Sequence, residues 1–411
     1  MRIRRDLYLD KLIARKHNGM VKVVTGVRRC GKSYLLFELF MEHLLESGVP
    51  RERIIDVQLD DRKNKELRDP DACDAYVRER VGEGQHYVMI DEVQLMTEFE
   101  DVLLGFLHIP NLDVYVTGSN SKFLSSDIIT EFRGRGDQVR VHPLSFAEYH
   151  SAMGRDWDDD WNDYMTYGGM PYAATLGIDR DKALYLQGLF EEVYLRDVVD
   201  RHDVRNVDEL GELVDVIASA TGSLTNPDKL EKTFKIVKGV TLSAPTIRKY
   251  LGYFEDAFLM RKAKRYNVKG RKHIGGPLKY YFEDVGLRNA RLNFRQLEPT
   301  HIMENVIYNE LVARGYSVDV GIVEIREGDD RKQVEIDFVA NEGSRRYYVQ
   351  SAFVLPDEEK RAQEERPLVS VPDSFKKIIV VGGSQKASRD DNGIVTMGVK
   401  QFLLDPDSLE L

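Results

Sequence analysis

The first 142 residues alternate between two hydrophobic patterns: short continuous apolar runs, and longer runs with apolar residues at helical spacing. The short runs predict strands at 21–25, 53–59, 87–91, 112–117 and 138–142. The spaced runs predict helices at 33–47, 71–81 and 99–108. Because strands and helices alternate, we expect a parallel α/β sheet that is covered on both faces.

The pattern becomes helical after Pro143. Ser145 and Glu148 have the spacing of a capping box that opens a helix, and helical periodicity continues to about residue 205. Within this segment, the acidic run at 157–161 is interpreted as a solvated loop, because clustered charges usually face water. Residues 143–205 are therefore expected to be mainly helical.

A change of pattern near residue 260 divides the rest of the chain. Residues 206–260 give three further helical patterns, and the twelve positions at 261–272 hold Lys or Arg at seven. This basic segment turns at a glycine and returns as an apolar strand at 279–282, so that the whole resembles a winged helix-turn-helix. The chain is α/β again from about 300, with a helix at 303–313 and strands at 318–326, 333–340, 346–354 and 377–381.

The composition describes a globular protein with more than one domain. The chain has 411 residues, of which 42% are hydrophobic and 31% charged, and its formal net charge is −10. An acidic chain is not a general polyanion binder, so any contact with nucleic acid needs a local basic patch. Cys30 and Cys73 do not suggest a disulfide framework, and the N-terminus lacks the apolar core of a signal peptide. Since no apolar run approaches membrane-spanning length either, we expect a cytoplasmic protein.

Residues 26–33, GVRRCGKS, fit the phosphate-binding pattern GxxxxGKS and stand between a predicted strand and a predicted helix. Backbone N–H groups at such a turn form an anion nest, and glycines let the backbone approach phosphate oxygens. Lys32 is expected to lie along the β- and γ-phosphates of ATP, and the Ser33 hydroxyl to bind Mg²⁺. The predicted nucleotide-binding residues are Gly26, Val27, Arg28, Arg29, Cys30, Gly31, Lys32, Ser33 and Tyr34.

A second nucleotide element follows at 87–92, where a buried apolar strand ends in Asp91 and Glu92 in the Walker B pattern. Asp91 is expected to hold Mg²⁺, and Glu92 to polarise the attacking water as general base. The predicted strand at 53–59 lies between the two motifs in the sequence. This favours the P-loop ATPases with an inserted strand and a catalytic Glu over small-molecule kinases, which lack that Glu.

Polar and basic residues follow the predicted strand at 112–117. Ser119 and Asn120 are delivered to the sheet edge where ligands of α/β sheets bind, and Asn120 is the candidate for sensing the γ-phosphate. Arg133 and Arg135 come next, and either is a candidate for an arginine that reaches the nucleotide of a neighbouring subunit. Ordinary turn residues and solvated arginines are the simpler interpretation of both pairs.

Ten segments spread over nearly the whole chain carry a family resemblance. They read TGVRRCGKS, MIDEVQ, VTGSNSKFLSS, RGRGDQVRVHPLSFAEY, YGGMPY, YLRDVVDRH, SAPTIRKYLGYFEDAFLM, YYFEDVGLRNA, MENVIYNELVARGY and VEIDFVA. As a set they resemble the bacterial and archaeal AAA-type ATPases that carry a C-terminal domain of unknown function. The resemblance implies an AAA-type P-loop ATPase core with a parallel sheet at 1–142, a helical lid at 143–205, a winged helix-like domain at 206–285 and a restriction-endonuclease-like α/β domain at 286–411.

The implied endonuclease-like fold needs a carboxylate on a first helix, an Asp entering one strand, and an acidic residue two positions before a Lys on the next. Carboxylates bind Mg²⁺, and the Lys steadies the hydrolytic water. Glu304 and Asp337 match, whereas Gln350 stands at the acidic position and Ala352 at the lysine. A neutral Gln weakens a metal site and Ala supplies no cation, so we expect a catalytically degenerate domain that is used for binding.

The winged-helix pattern gives candidate contacts to double-stranded DNA. The helix at 243–256 would enter the major groove, and the basic wing would contact phosphates. The candidates are Thr246, Arg248, Lys249, Lys264, Arg265, Lys269, Arg271 and Lys272. A helical adaptor whose basic hairpin faces water or another subunit is the alternative interpretation.

Taken together, these features predict a cytoplasmic AAA-type ATPase that uses Mg·ATP binding and hydrolysis to switch or drive a DNA-associated machine. One alternative is a slow, nucleotide-gated signalling switch that recruits a protein partner through the C-terminal domain. The other is a metal-dependent nuclease powered by ATP, against which the residues at 350 and 352 speak. The sequence leaves open whether the chain forms a homo-oligomer.

Overall fold

The computed structural model describes residues 2–118, 132, 134–239, 242–327 and 330–411. The chain divides into two compact units. The first unit contains the residues up to Pro143 together with Asp256–Phe258, and the second contains Leu144–Glu255 and Leu259–Leu411.

The first unit is built on a five-stranded parallel sheet, as the sequence predicts. Its strands are β1 (Val21–Gly26), β2 (Ile54–Gln58), β3 (His86–Asp91), β4 (Leu112–Thr117) and β5 (Gly136–Val141). Its helices are α1 (Asp6–Ala14), α2 (32–46, with a π-helical stretch at Leu35–Phe40), α3 (Pro70–Arg78) and α4 (Phe99–Phe106). Strands β1, β3 and β4 are buried at every position, because both of their faces are covered.

The strands of this sheet follow the spatial order β2-β3-β4-β1-β5. The strand that lies between the two nucleotide motifs in the sequence is β2, and it takes the edge of the sheet. The strand that separates the two motifs in space is β4, which pairs with β1 through Val24 and Thr117 and with β3 through Ile90 and Val116. The carboxyl ends of β1, β4 and β3 therefore lie side by side.

The second unit begins with a series of helices. They are α5 (Phe146–Met153), α6 (Trp157–Tyr167), α7 (Pro171–Thr175), α8 (179–202), α9 (Val207–Ser219), α10 (227–238) and α11 (Ala244–Asp256, whose last residue groups with the first unit). The predicted capping box is confirmed, since Ser145 Oγ accepts a hydrogen bond from Glu148 N at 3.2 Å and Glu148 Oε2 accepts one from Ser145 N at 2.9 Å.

The prediction of a solvated loop at 157–161 is wrong, because these residues form the first turns of α6. Asp156 caps the helix by accepting a hydrogen bond from the backbone N–H two residues on, at 3.0 Å. Trp157 and Trp161 are four residues apart, so they share one helix face and stack in the core with ring centroids 5.6 Å apart. Between them, Asp160 is fully buried and accepts a hydrogen bond from Arg155 Nε at 2.8 Å.

The rest of the second unit contains an eight-stranded mixed sheet in the order β12-β13-β11-β10-β9-β8-β6-β7. The strands are β6 (Met260–Asn267), β7 (Lys272–Phe282), β8 (Ser317–Glu327), β9 (Asp330–Glu342), β10 (Arg345–Ala352), β11 (Lys376–Val381), β12 (Ser388–Arg389) and β13 (Val395–Gly398). The helices are α12 (Val285–Arg291), α13 (Pro299–Ala313), α14 (Glu358–Val369) and α15 (Val399–Leu404).

The basic segment predicted as a wing is a hairpin of this sheet. Strand β6 pairs antiparallel with β7 and, at 265–267 alone, parallel with β8, and Lys262 and Lys264 are exposed on it. The hairpin also contacts the segment between α9 and α10, since Thr225 N donates to Leu278 O at 2.7 Å and Leu278 N donates to Thr225 O at 3.1 Å, and the winged-helix arrangement stays a prediction. The predicted boundary at 285 falls inside the second unit, at the start of α12, and also stays a prediction.

Helix α12 joins several parts of the second unit, and most of its residues are buried. Asp284 caps it, and the other carboxylate oxygen of Asp284 accepts a hydrogen bond from Gly169 N at 2.7 Å. Asn289 Nδ2 donates to a carbonyl oxygen of α6 at 2.8 Å, and Arg288 Nε donates to one of α9 at 2.8 Å. The segments YGGMPY and YYFEDVGLRNA, which carry part of the family resemblance, thus meet here for structural reasons.

Replacing Gly286 by Ala tests how tightly α12 is packed. A Cβ at this position would lie 2.0 Å from Tyr167 O, which is main chain and cannot move aside cheaply. We expect Gly286→Ala to lower the free energy of unfolding by roughly 3 kcal/mol in urea denaturation.

The matched control is Gly188→Ala, because Gly188 also lies in a helix and has open space where the Cβ would be. This change should raise the stability by about 0.5–1 kcal/mol through helix propensity. Equal stabilities of the two variants would contradict the tight packing of α12.

Candidate nucleotide-binding site

The loop between β1 and α2 is shaped by its packing against the end of β5. Gly26 has φ 141°, and a Cβ there would lie 2.0 Å from Val141 O, so only glycine fits. Cys30 is fully buried beside the same carbonyl oxygen, with Sγ 3.5 Å away, and Val27 is buried as well. One side of the loop therefore packs against the end of β5, while Arg28 and Arg29 are exposed on it.

The amino end of α2 presents the groups predicted to bind phosphates. The helix begins at Lys32, directly after Gly31, and Tyr34 is half-buried in its first turn. Lys32 is 5% exposed, and its ammonium donates hydrogen bonds to Gly26 O at 3.1 Å and Val27 O at 3.0 Å. The ammonium is thus already desolvated and lies across the loop, where N–H groups and the helix dipole attract an anion.

Arg5 is a loop-supporting residue that sequence reasoning missed. Its guanidinium is 3% exposed and donates to Cys30 O at 3.1 Å and to His142 O at 2.6 Å. It therefore joins the loop to the residue after β5. The sequence offers only a basic N-terminal segment as a signal, and such residues are usually solvated.

Ser33 and Asp91, the predicted metal ligands, are in direct contact. Ser33 Oγ donates to Asp91 Oδ1 at 3.0 Å, and the Thr117 hydroxyl donates to the same oxygen. Burial raises the pKa of Asp91, while these two hydrogen bonds oppose the increase. A hydroxyl beside a buried carboxylate is an oxygen donor set that suits Mg²⁺, so the residues present fit that ion.

Glu92, the predicted general base, follows Asp91 in an unusual backbone conformation. Its φ is 49° and its ψ 49°, in the left-handed region that non-glycine residues rarely adopt. Glu92 N donates to Thr117 Oγ1 at 3.0 Å, and Gln94 Nε2 donates to the Glu92 carboxylate. The strained turn is thus stabilised by contacts on both sides of Glu92, as strain at functional sites usually is.

Thr117 is the residue that links the two acidic positions, and sequence reasoning missed it. Its hydroxyl donates to Asp91 and accepts from the backbone of Glu92. The prediction instead chose Ser119 and Asn120, which lie outside the described residues. A polar residue at the end of the strand that separates the two motifs would have been the signal, but the strand order is not readable from the sequence.

The two candidate arginines have different outcomes. Arg133 lies outside the described residues. Arg135 is exposed, and its carbonyl oxygen accepts a hydrogen bond from Val21 N at 2.9 Å, at the amino end of β1. The loop follows the carboxyl end of the same strand, roughly 17 Å away. Arg135 could therefore act only on the nucleotide of another molecule. The sequence analysis predicts this role, and it stays a prediction.

Several candidate DNA contacts in the second unit already have partners within it. On α11, Thr246 Oγ1 lies 2.8 Å from the hydroxyl of Ser243, Arg248 pairs with Asp228 at 3.0 Å, and the Lys249 ammonium lies over a tyrosine ring. On the hairpin, the Arg265 guanidinium donates to a Gln side chain and the Lys269 ammonium to a backbone carbonyl. Three exposed candidates, Lys264, Arg271 and Lys272, make no ion pair, side-chain hydrogen bond or ring contact with any described residue.

Glu304 and Asp337 approach each other in the second unit. Lys279 Nζ lies 2.9 Å from Glu304 Oε1 and 3.6 Å from Asp337 Oδ1. Gln350 adjoins them, since its Oε1 accepts from Asp337 N at 3.3 Å. Ala352 supplies no cation, as predicted, but Lys279 of β7 places one beside Glu304 and Asp337, and sequence reasoning missed this residue. That the domain is catalytically degenerate stays a prediction.

Two sequence families match the chain. One is described as an AAA domain and matches residues 18–150, and the other is a domain of unknown function that matches residues 158–298. An uncharacterized protein of Haemophilus influenzae is 31% identical over 409 residues, which cover 98% of this chain and 98% of that protein. The chain belongs to this family of AAA-domain proteins. A second uncharacterized protein, from Methanocaldococcus jannaschii, is 26% identical over 379 residues, or 88% of this chain and 80% of that protein.

Solved structures similar to this AAA-domain protein include two archaeal proteins. The Orc1 protein of Aeropyrum pernix, solved in complex with DNA, is 12% identical with a TM-score of 0.29, over 71% of this chain and 92% of that chain. Cdc6p of Pyrobaculum aerophilum is 12% identical with a TM-score of 0.28, over 74% of this chain and 97% of that chain. Scores this low support no inference about what the present protein binds.

Helices long and apolar enough to cross a membrane are absent from the described parts of the chain.

Replacing Thr117 by Val tests the link between Asp91 and Glu92. The change keeps the shape of the side chain but removes the hydroxyl, so Asp91 loses one donor and Glu92 N loses its acceptor. We expect the ratio of the nucleotide affinities with and without Mg²⁺ to fall about tenfold. This corresponds to the loss of one hydrogen bond to a charged group. The measurement is titration with a fluorescent ATP analogue, with and without Mg²⁺.

Thr117→Ser is the control, because it keeps the hydroxyl and should keep the Mg²⁺ effect. An unchanged Mg²⁺ effect in Thr117→Val would mean that the hydroxyl does not support the metal ligand.

Proposed function

We propose that this AAA-domain protein binds Mg·ATP at the loop of residues 26–33 and hydrolyses it, and that the ATP cycle is coupled to contact with double-stranded DNA. The observation that carries the proposal is the hydrogen-bonded group of Ser33, Asp91 and Thr117, with Glu92 attached to it through its backbone. ATP hydrolysis needs hydrogen-bond donors to the phosphates, a hydroxyl–carboxylate pair that binds a metal, and a second carboxylate that acts as base.

Phosphate binding would use groups that already point into the loop. The Lys32 ammonium would exchange two carbonyl oxygens for phosphate oxygens, which carry more negative charge. Because this ammonium is buried, water weakens its attraction to the phosphates little. Gly26, Val27, Arg28, Arg29, Cys30, Gly31, Ser33 and Tyr34 complete the proposed nucleotide-binding set.

The proposed metal ligand Asp91 and the proposed base Glu92 are consecutive residues at the carboxyl end of β3. Ser33 and Asp91 would hold Mg²⁺, which supplies charge neutralisation for the β- and γ-phosphates. The Glu92 carboxylate would take a proton from the attacking water, and its position is set by the bonds to Thr117 and Gln94. Asn120 as sensor, and Arg133 or Arg135 acting on a neighbouring molecule, are further parts of the proposal.

Two substitutions separate nucleotide binding from hydrolysis. Lys32→Ala should weaken ATP binding about 100-fold, because it removes the buried ammonium. Glu92→Gln should leave ATP binding within about twofold and lower turnover at least 100-fold, because an amide cannot accept the proton. Binding is measured by titration and turnover by phosphate release.

Glu98→Gln is the matched control, since Glu98 is also a glutamate with a left-handed backbone (φ 51°) but is exposed at the start of α4. It should hydrolyse ATP like the unmodified protein. Normal turnover in Glu92→Gln would show that the proposed base is wrong.

The DNA part of the proposal depends on the hairpin formed by β6 and β7. Lys264, Arg271 and Lys272 are exposed on it and have no described ion-pair partner, so they can neutralise phosphates without breaking internal contacts. Arg265, Lys269 and, on α11, Thr246, Arg248 and Lys249 would have to exchange an existing contact for DNA. The first three are therefore proposed as the main phosphate contacts.

Reversing these three charges tests the contact with DNA. In a binding assay with duplex DNA across salt concentrations, Lys264→Glu, Arg271→Glu and Lys272→Glu together should lower the slope of log affinity against log salt by about 3. The control reverses three exposed charges of the first unit, at Arg62, Lys63 and Lys65, and should keep the slope.

If both triple variants bind DNA alike, or neither responds to salt, the hairpin is not a DNA contact. ATP turnover that duplex DNA does not change would favour the nucleotide-gated switch with a protein partner over a DNA-associated machine.

A further inference from the structure

A lysine lies among three carboxylates in the second unit, of which Glu304 and Asp337 are buried and Glu335 is half-buried. Lys279, on β7, is 4% exposed, and its ammonium lies 2.9 Å from Glu304 Oε1, 2.8 Å from Glu335 Oε1 and 3.6 Å from Asp337 Oδ1. Glu304 comes from α13, and the other two carboxylates from β9. We call these four residues the Lys279 cluster.

Two other donors of the chain also bond to carboxylates of this cluster. Tyr281 Oη donates to Glu304 Oε1 at 2.7 Å, and Ser351 N donates to Asp337 Oδ2 at 2.9 Å. Gln350 Oε1 accepts from Asp337 N at 3.3 Å, while its Nε2 donates to Glu364 at 2.9 Å. Glu304 and Asp337 thus each accept a further hydrogen bond from their own chain.

The distances between Lys279 Nζ and the carboxylate oxygens are those of an ionised lysine. Values of 2.8–2.9 Å are those of charged N–H···O hydrogen bonds, and the carboxylates converge on Nζ. Burial lowers the pKa of Lys279, but the three carboxylates outweigh burial and hold it above its ordinary value. Burial, with Glu304 beside it, raises the pKa of Asp337 to about 8.

We propose that Lys279 is the resident cation of this cluster and takes the place that a divalent metal ion would otherwise occupy. The cluster then joins β7, α13 and β9 without a metal, and the second unit has no hydrolytic metal centre there. This proposal does not depend on ATP hydrolysis by the first unit.

Binding of Mn²⁺ to the full chain without nucleotide is the first test. The chain carries Asp91→Asn, which removes the proposed metal ligand of the first unit, so that any tight site must lie elsewhere. Electron paramagnetic resonance should detect no tightly bound Mn²⁺, and duplex DNA should stay intact in its presence. One tight Mn²⁺ per chain that is lost when Asp337→Asn is added would overturn the proposal.

Removing the lysine is the second test, in the same Asp91→Asn chain. Lys279→Met leaves three carboxylates without their cation, so Tm should fall by roughly 10 °C. A Mn²⁺ site should then appear and restore part of Tm. A variant that keeps the original Tm, or that gains no Mn²⁺ site, contradicts the role of Lys279.

Lys262→Met is the matched control. Lys262 is exposed on the neighbouring strand β6 and pairs at 2.8 Å with Glu255 of α11. It should change neither Tm by more than about 2 °C nor Mn²⁺ binding. If Lys279→Met does not fold, Lys279→Arg decides: it keeps a cation, so it should fold without a Mn²⁺ site, and a Mn²⁺ site in this variant would overturn the proposal.

Discussion

The hydroxyl of Thr117 is the contact on which the candidate site depends. Parallel strands bring their carboxyl ends to one edge of a sheet, and the order β3-β4-β1 puts Thr117 between the loop strand and the acidic strand. Its single oxygen donates to the Asp91 carboxylate and accepts from Glu92 N, so one side chain contacts both acidic residues. Since Asp91 also accepts from Ser33, the loop, the metal ligand and the base form one connected group. A shift of β4 would move all of them together.

Both units place charges in their interiors, and in each case the charge is paired. In the first unit, Lys22 is fully buried and pairs with Asp113, which also accepts hydrogen bonds from Tyr115 Oη at 2.8 Å and His17 N at 3.0 Å. In the second unit, Lys279 has the same arrangement with three carboxylates. Such groups contribute little net stability compared with apolar residues, but removing one partner costs several kcal/mol. They therefore specify which strands pair more than they stabilise the fold.

The parts of the structure that could be predicted are those that local pattern determines. The loop at 26–33, the strand that ends in Asp91, and the capping box at Ser145 each depend on residues close in sequence. The failures depend on long-range pairing. The pairing of β6 with β8 and the contact of Lys279 with Glu304, which is 25 residues away, cannot be read from a local pattern. The loop prediction for 157–161 was wrong for another reason. It weighed the acidic residues and overlooked two tryptophans at helical spacing.

The segments that carry the family resemblance divide into two physical classes. TGVRRCGKS and MIDEVQ contain the residues that face the candidate site, so chemistry explains their composition. YGGMPY and YYFEDVGLRNA instead meet at α12, where Asp284 accepts from Gly169 N and a Cβ on Gly286 would collide with Tyr167 O. Close main-chain packing and buried hydrogen bonds account for these residues without any ligand. A motif shared by a family thus identifies a constraint, and only the contacts of its side chains show whether that constraint is chemical or structural.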